Sequence, residues 1–555
     1  MNLLYIMLMM IGSLIVVGFS RRFKLQAEVL VLIVGALLSF LPFLPQLKID
    51  GELFLTIILP PILYSSARKI GVYKFNTLKR PILSMGVLLV IVTALAVAWI
   101  AHQMIPFLNW GSCIIIGALV APTDAVSAIA IGKKLKLNDR TLTIMTGESL
   151  INDASALTLY SVGLATLIPT HSYINSVSLL FLFQLGVGLA VGIVVGILTN
   201  FIRKSLKDPS LITVFSAVVP YTAYIVADAF EASGVIAVVI CGFIVERSAF
   251  VSNYAVRIQE RNFWMSIDTL FETLVFGYMG LQFRFIIEAL GANGIHPVQA
   301  FLLSLPILLV VIVLRPIWVF STTALGTLVD RISRERLLKA SKLLYKRFPN
   351  REQRMRERAQ IILRHDTLKH YKVSSTTIQD QAILSWCGMR GVVSLAIAAS
   401  VPTTINSAHD TLLTSFILMV GLVVACVTLI VQATTLPWVI RKLSVEDVPH
   451  RVWLAKQRAK ARQLLDDTAE KVIEDLDPDE MPVPVEQIRL AWDRFRRPLD
   501  KDTLPEYEFV VGVISEIIET QRQDIVEATN TGEIDPDVAK EILARLDHRQ
   551  EAFIS

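Results

Sequence analysis

The chain is poor in charge. Of its 555 residues only 18% are Asp, Glu, Lys or Arg, against 54% hydrophobic, and the mean hydropathy is +0.57. A soluble globule of this length needs more polar surface, which excludes that class and leaves the membrane class. Cysteine is scarce: Cys113, Cys241, Cys387 and Cys426 each lie in an apolar run and share no metal-site or redox spacing, so they read as small buried hydrophobes. The eight histidines are read as loop or tail residues, which argues against an intramembrane histidine metal site or proton relay and leaves proton handling to carboxylates. There is no G-x-S-x-G and no Gly-Asp pair in a span, so an intramembrane enzyme would lack its nucleophile and base. No basic patch interleaved with aromatics is present, which argues against nucleic acid as a partner; the net charge of +5 averages over two environments.

What is present is a series of long apolar runs. A helix crossing about 30 Å of hydrocarbon needs about 20 apolar residues. On that ruler spans fall near 3–19, 27–44, 52–67, 81–102, 111–131, 143–168, 175–201, 211–230, 233–246, 262–282, 298–321, 378–400 and 410–437. The first run has its positive residues after the apolar stretch and no A-x-A-like site, and is expected to be an uncleaved span, not a signal peptide. Lys and Arg fall in alternate loops: "SRRFK", "ARKIGVYKFNTLKR", "GKKLKLNDR", "FIRKSLKDP", "ERSAFVSNYAVRIQER" and the basic segment 322–377. The loops between them hold only Lys48 and Arg284. This alternation predicts thirteen spans with the N-terminus outside and the C-terminus in the cytoplasm. The organisation expected is a transmembrane domain over 1–440, with 322–377 as a basic cytoplasmic loop that would contact anionic lipid or the tail, and a cytosolic helical tail over 441–555. A partly disordered tail is the alternative on composition.

Few charges lie at mid-span, and each needs a partner or a task because an ionised group there costs about 2.5–3.5 kcal/mol on insertion scales. The clearest are Asp124, Glu148, Asp153, Arg315 and Arg390; Asp228, Asp268 and Glu272 lie nearer to ends or helix faces. In the fifth span Pro122 removes a helix hydrogen bond and Thr123 and Asp124 follow it, so the helix is expected to break there. A capped proline kink in a packed bundle would be written with the same letters. In the twelfth span Gly388 and Gly391 bracket Arg390 at similar depth. Paired breaks in two halves mark an ion site in inverted-repeat transporters. Spans 1–6 and 8–13 are thus expected to form two inverted six-helix repeats with a broken helix at the same place in each, with Asp124 facing half-helix N-termini and Arg390 facing C-terminal carbonyls.

The sixth span carries "TGESLINDASALTLY". Glu148 and Asn152 are four apart and share one helix face, Ser149 and Asp153 the adjacent one. One face can hold a salt bridge while the other meets a cation. Glu148 is the first candidate to neutralise Arg315, which leaves Asp153 to titrate; pairing Arg315 with Asp153 instead would make the motif structural. Burial favours the neutral form of a carboxyl and a bound cation favours the ionised form. A proton and a cation would then exclude each other at one site, which suffices for exchange when the site faces each side in turn. A channel or uniporter could share the broken helices without needing such a carboxylate.

"LPPILY", "APTDAVS", "GESLINDA", "SGVIAVVICG", "FETLVFGYMG", Arg315 and "GMRGVVSLAIA" together resemble the monovalent cation:proton antiporter-1 family of sodium/proton exchangers, which includes bacterial NhaP-type antiporters, across the whole membrane part. The resemblance implies Asp153 as the ion-binding, proton-exchanging carboxylate, Asn152 as a brace of the crossed helices, Ser149 as an oxygen ligand and Thr123 as a backbone-carbonyl ligand. It places Asp124 nearby through water and makes Glu148 and Arg315 a structural ion pair. It further implies electroneutral exchange of Na+, with Li+ or K+ as alternatives and a K+/H+ antiporter as the neighbouring reading. No cofactor is implied. The resemblance points to a homodimer in the plasma membrane, in contact with lipid, serving pH and cation homeostasis. One departure stands out: where many bacterial relatives carry an acidic ligand after "LPPILY", this chain has Ser65 and Ser66.

Overall fold

The computed structural model describes residues 2–23, 26–42, 51–69, 72–167, 177–206, 208–249, 254–347, 377–401, 408–443, 448–476, 484–494, 507–530 and, in part, 533–547. Among these every regular element is helical. In chain order they are α1 (Asn2–Phe23), α2 (Ala27–Ser39), α3 (Gly51–Lys69), α4 (Val72–Leu83), a π-helical turn (Ser84–Leu88), α5 (Leu89–Met104), α6 (Trp110–Val120), α7 (Val126–Lys134), α8 (Asp139–Leu167), α9 (Val177–Ser205) and α10 (Pro209–Asp228). There follow α11 (Gly234–Ala249), α12 (Tyr254–Leu281), α13 (Phe283–Ala292), α14 (Pro297–Arg347), α15 (Ile378–Trp386), α16 (Val392–Ser400), α17 (Ala408–Leu443), α18 (Val448–Glu474), α19 (Val485–Arg494) and α20 (Tyr507–Asn530).

Two compact units emerge: residues 1–247 with 259–446, and residues 248–258 with 447–555. The first is inside-out by the standard of a soluble protein. Large apolar side chains such as Ile15, Leu37, Phe201, Val214 and Leu309 are exposed, while Glu148, Arg315 and Arg390 are buried. An apolar skin over a core that holds the charges suits lipid as the surrounding solvent. Six described helices are long and apolar enough to span a membrane: Leu78–Met104, Leu182–Ser205, Pro209–Asp228, Ala255–Ala292, Pro297–Leu325 and Leu412–Leu443. The helix starts follow local chemistry. Asn109 caps α6 by accepting the Ser112 N–H at 2.9 Å, and Asp208 caps α10 ahead of Pro209. Thr377 and Asp380 close a reciprocal capping box on α15.

Two expectations change here. Residues 322–347 continue the helix of the eleventh span as the end of α14 instead of starting a loop, since "ALGTLVDRISRERLLKASKLLYKR" contains no Pro and only one Gly to stop it; residues 348–376 lie outside the described ones. His102 sits in the last turn of α5, 4.4 Å in ring-centroid distance from Trp110, and His409 in the first turn of α17, so neither is a loop residue. His171, His365, His370 and His548 lie outside the described residues.

For the site, the packing of α2 on α12 matters. A Cβ on Gly280 would lie 2.6 Å from the Leu32 carbonyl oxygen and 3.0 Å from the Gly35 Cα, so the two backbones touch, as small residues allow between membrane helices. About two turns from that contact, by helix rise, each helix carries a glutamate, Glu28 on α2 and Glu272 on α12. α8 packs on α4, the π-helical turn, α5, α6 and α7, which sets its polar face against the interruption between α6 and α7.

The second unit is water-type in pattern. Ala461 of α18, Ile514, Ile518 and Ile525 of α20, and Val538, Ile542 and Leu546 form one apolar cluster; Ile473, Ile488 and Ile517 join α18, α19 and α20 in another. Asp547 receives the guanidinium of Arg257, from the first turn of α12, and that of Arg522 at 2.9 Å. The division at 446/447 lies six residues past the expected 440, and residues 248–258 group with the tail.

Candidate functional site

The first interrupted helix breaks where Pro122 removes a helix hydrogen bond, and the second where Gly388 and Gly391 loosen the helix. α6 stops at Val120, and Pro122, Thr123, Asp124 and Ala125 run without helix before α7 begins at Val126. α15 stops at Trp386, and Cys387 to Gly391 intervene before α16. The two interruptions meet: the Asp124 N–H donates to the Met389 carbonyl at 2.7 Å. A Cβ on Gly391 would overlap the Asp124 carboxylate, so only glycine fits this approach.

Each break exposes carbonyls on one side and N–H groups on the other, and buried charges meet both. Arg390 Nε donates to the Val120 carbonyl of α6 at 3.0 Å, and its Nη1 to the Gly388 carbonyl past α15. Arg315 Nε donates to the Leu384 carbonyl of α15 at 3.0 Å. Opposite them, Asp124 accepts the Val126 N–H of α7 at 2.8 Å and also the Val392 N–H of α16. One carboxylate therefore caps two half-helices.

α8 braces the crossing. Arg315 forks onto Glu148, with Nη1 on Oε1 and Nη2 on Oε2 at 2.9 Å, and the two residues are 4% and 2% exposed. The Thr123 hydroxyl donates to Glu148 Oε1 at 3.1 Å and accepts the Asn152 amide at 2.8 Å. That amide also reaches the Thr123 carbonyl at 3.0 Å. Ser149 Oγ accepts the Ala125 N–H at 3.3 Å. Asn152 and Glu148, one turn apart on α8, thus hold the first break at a single residue, Thr123.

A cavity opens where α3, the first break, α8, α12 and the second break converge, with a free volume of about 400 Å3 that includes its opening. Ser66, Asp124, Ser149, Asp153, Glu272 and Ser394 supply its polar lining. Of the residues singled out in the sequence, Asp153, Asp124 and Ser149 line the cavity. Glu148, Arg315 and Arg390 stand behind it in the crossing. Thr123 and Asn152 are not among the lining residues, and the Thr123 carbonyl accepts the Asn152 amide. Asp153 makes no hydrogen bond or ion pair with any described residue. The donor set is all oxygen, suited to a hard monovalent cation and not to a soft metal; among the described residues no three His, Cys, Asp or Glu gather as a metal site.

Three acidic residues at or beside the cavity were not singled out as site residues. Glu272 lines it. Asp268, one turn earlier on α12, accepts Ser65 Oγ at 2.7 Å and Lys69 Nζ at 2.8 Å. Glu28 of α2 hydrogen-bonds Ser127, just past the first break. The signal for Glu272 was the four-residue interval from Asp268, which places both on one face of α12.

Residues 6–442 match the family model described as the transmembrane sodium/hydrogen exchanger. An uncharacterized Na(+)/H(+) exchanger of Mycobacterium tuberculosis is 30% identical over 469 residues, which is 83% of this chain and 79% of that protein. The Na(+)/H(+) antiporter ApNhaP of Aphanothece halophytica is 26% identical over 427 residues, 76% of this chain and 70% of that protein. The structure of the sodium proton antiporter MjNhaP1 from Methanocaldococcus jannaschii superposes with a TM-score of 0.60 at 16% identity, covering 80% of this chain and all of that one, which establishes a shared fold. These relatives are transporters and not enzymes. With a family match that spans the two interruptions, α8 and Arg315, the chain belongs to the sodium/hydrogen exchanger family.

Proposed function

We propose that the protein exchanges a monovalent cation, Na+ in the first instance, for a proton across the membrane by alternating access. Asp153 would be the carboxylate that binds each in turn. The observation that carries this reading is its position: Asp153 lines the cavity at the crossing and has no partner among the described residues, while Glu148 beside it is held by Arg315. A cation at Asp153 would find further oxygens at Ser149 and, through water, at Asp124. When the cation leaves, burial favours the neutral carboxyl, so a proton takes its place. One titrating carboxylate corresponds to one cation for one proton, an electroneutral cycle.

The same reading supplies the architecture around the site. Thirteen spans with the N-terminus outside and the tail in the cytoplasm would follow from the alternation of Lys and Arg between loops, and two inverted repeats from the paired breaks in the fifth and twelfth spans. A homodimer in the plasma membrane, with the tail as a regulatory unit, completes the proposal.

The test is proton flux in everted vesicles carrying the full chain after addition of Na+, Li+ or K+. Collapse of the pH gradient by one of these cations, lost in Asp153→Asn, is expected. Failure of every cation in the intact protein, or parent-like exchange by Asp153→Asn, refutes antiport. Cation flux without proton movement would make the protein a uniporter. The ranking of the three ions separates Na+/H+ from K+/H+ exchange.

A further inference from the structure

We infer that Glu272 is a second, cation-binding carboxylate of the transport site, brought to the cavity by α12 and serving as a ligand beside Asp153. The inference rests on the antiport reading above and adds to it a residue and an element.

Three carboxylates line the cavity, Asp124, Asp153 and Glu272, and they are not equivalent. Asp124 is committed: it caps Val126 and Val392 and has Gly391 packed on it, so its oxygens are held by backbone N–H groups. Asp153 is unpartnered. Glu272 is half-buried and makes no hydrogen bond or ion pair with any described residue. Among the described residues the cation that acts on it, Lys69, forms no ion pair with it. Lys69 Nζ lies 2.8 Å from Asp268, which also takes the Ser65 hydroxyl, one turn before Glu272 on the same helix. The charges that act on Glu272 are Asp124, Asp268, Glu28 and Lys69, three negative and one positive.

An unpaired carboxylate inside a membrane protein is costly, and the cost is offset where a mobile cation completes the site. The third helix explains why this falls to α12. Its Ser65 points away from the cavity to Asp268, and its contribution to the lining is the uncharged Ser66. The α3 wall therefore presents a hydroxyl and no charge, and the second charge comes from α12 instead. The backbone contact of Gly280 with α2 fixes the register of α12 and so holds Glu272 at this height. A cation shared by Asp153 and Glu272 would also meet the hydroxyls of Ser66 and Ser149, an all-oxygen set of the kind hard cations take. Asp153 remains the group that cycles between proton and cation; Glu272 sets how tightly the cation is held.

The experiment measures Na+ and Li+ dependence of exchange in everted vesicles for the parent, Glu272→Gln, Glu272→Asp and Asp153→Asn, with folded protein quantified for each by size exclusion. For Glu272→Gln the apparent KM for the cation is expected to rise about tenfold or more, with the maximal rate within about threefold of the parent, as loss of one charge-assisted contact implies. Glu272→Asp, which keeps the charge and shortens the reach, should fall between the two. Thallous ion binding to purified protein, displaced by Na+, should weaken in parallel. A parent-like KM and binding in Glu272→Gln, while Asp153→Asn is inactive, overturns this inference and leaves the antiport reading standing. If Glu272→Gln does not fold, a parent-like KM and binding in Glu272→Asp overturns it. A parent that exchanges no cation overturns both.

Discussion

The buried pair at the crossing sets a quantitative test. Glu148→Gln keeps the length and shape of the side chain and an acceptor for the Thr123 hydroxyl, but removes a charge that faces Arg315 through two hydrogen bonds at 2% and 4% exposure. At about 3 Å and an effective dielectric of about 20, the pair is worth about 5 kcal/mol before desolvation. Removing one partner of a buried pair costs about 3–5 kcal/mol, because the other charge stays behind. Here the residue left behind is not alone: Arg390 lies within electrostatic reach of both, so the variant buries two guanidiniums at the crossing with one anion fewer. Glu148→Gln should therefore destabilise the membrane unit by about 3–5 kcal/mol, read by steric trapping or denaturant unfolding in micelles. The double variant Glu148→Gln with Arg315→Met leaves no orphan charge there. It should recover about 2 kcal/mol of that loss, short of the whole because the Leu384 carbonyl loses its donor. A single variant within about 1 kcal/mol of the parent, or a double variant equal to the sum of its singles, refutes a coupled structural pair.

Gly391→Ala places a methyl group against the Asp124 carboxylate and should cost about 1–3 kcal/mol by overpacking while lowering the maximal exchange rate. Parent-like stability and rate would show that the breaks can part freely. Arg390→Gln removes the Nε donor to the Val120 carbonyl and should reduce folded yield, whereas full yield would mean that water satisfies that helix end. In the tail, Asp547→Asn removes the negative charge and one of the two acceptor oxygens that Arg257 and Arg522 share, and about 1.5–3 kcal/mol is expected to be lost. Limited proteolysis of the full chain should then release the C-terminal fragment about tenfold faster or more; an unchanged rate removes the idea that this acceptor holds the tail unit together.

How much of this was legible depends on whether a position is set by local chemistry. The interruptions were, because Pro122 deletes a helix hydrogen bond wherever the span sits and Gly388 and Gly391 loosen the other helix. The meeting of Glu148 and Arg315 was also accessible, since a deep arginine needs an anion and few were on offer. What the sequence did not resolve is which groups face the cavity. Thr123 carries the polarity of a ligand, yet it is bonded by Asn152, and only tertiary packing turns Thr123 back onto α8. Glu272 is marked only by its four-residue interval from Asp268, which does not say what that face of α12 meets. Its facing is set by the Gly280 contact with α2, made by residues far apart in the chain, and the same holds for Ser65, whose hydroxyl is claimed by Asp268 203 residues away.

The arrangement also explains why so many charges are needed for one exchange site. Two broken helices leave four ends inside the membrane, and each end wants a charge opposite to its own partial charge. Those charges must stay fixed throughout a transport cycle, since a proton gained by Asp124 or Glu148 would uncap an end or orphan a guanidinium. Groups locked by backbone N–H or by Arg315 are therefore unsuited to carrying the transported proton. In the proposed exchange the carrier would be a carboxylate that the crossing positions without bonding, and Asp153, one residue after Asn152 on α8, meets that requirement, so that the brace and the proposed carrier share a helix but not a face.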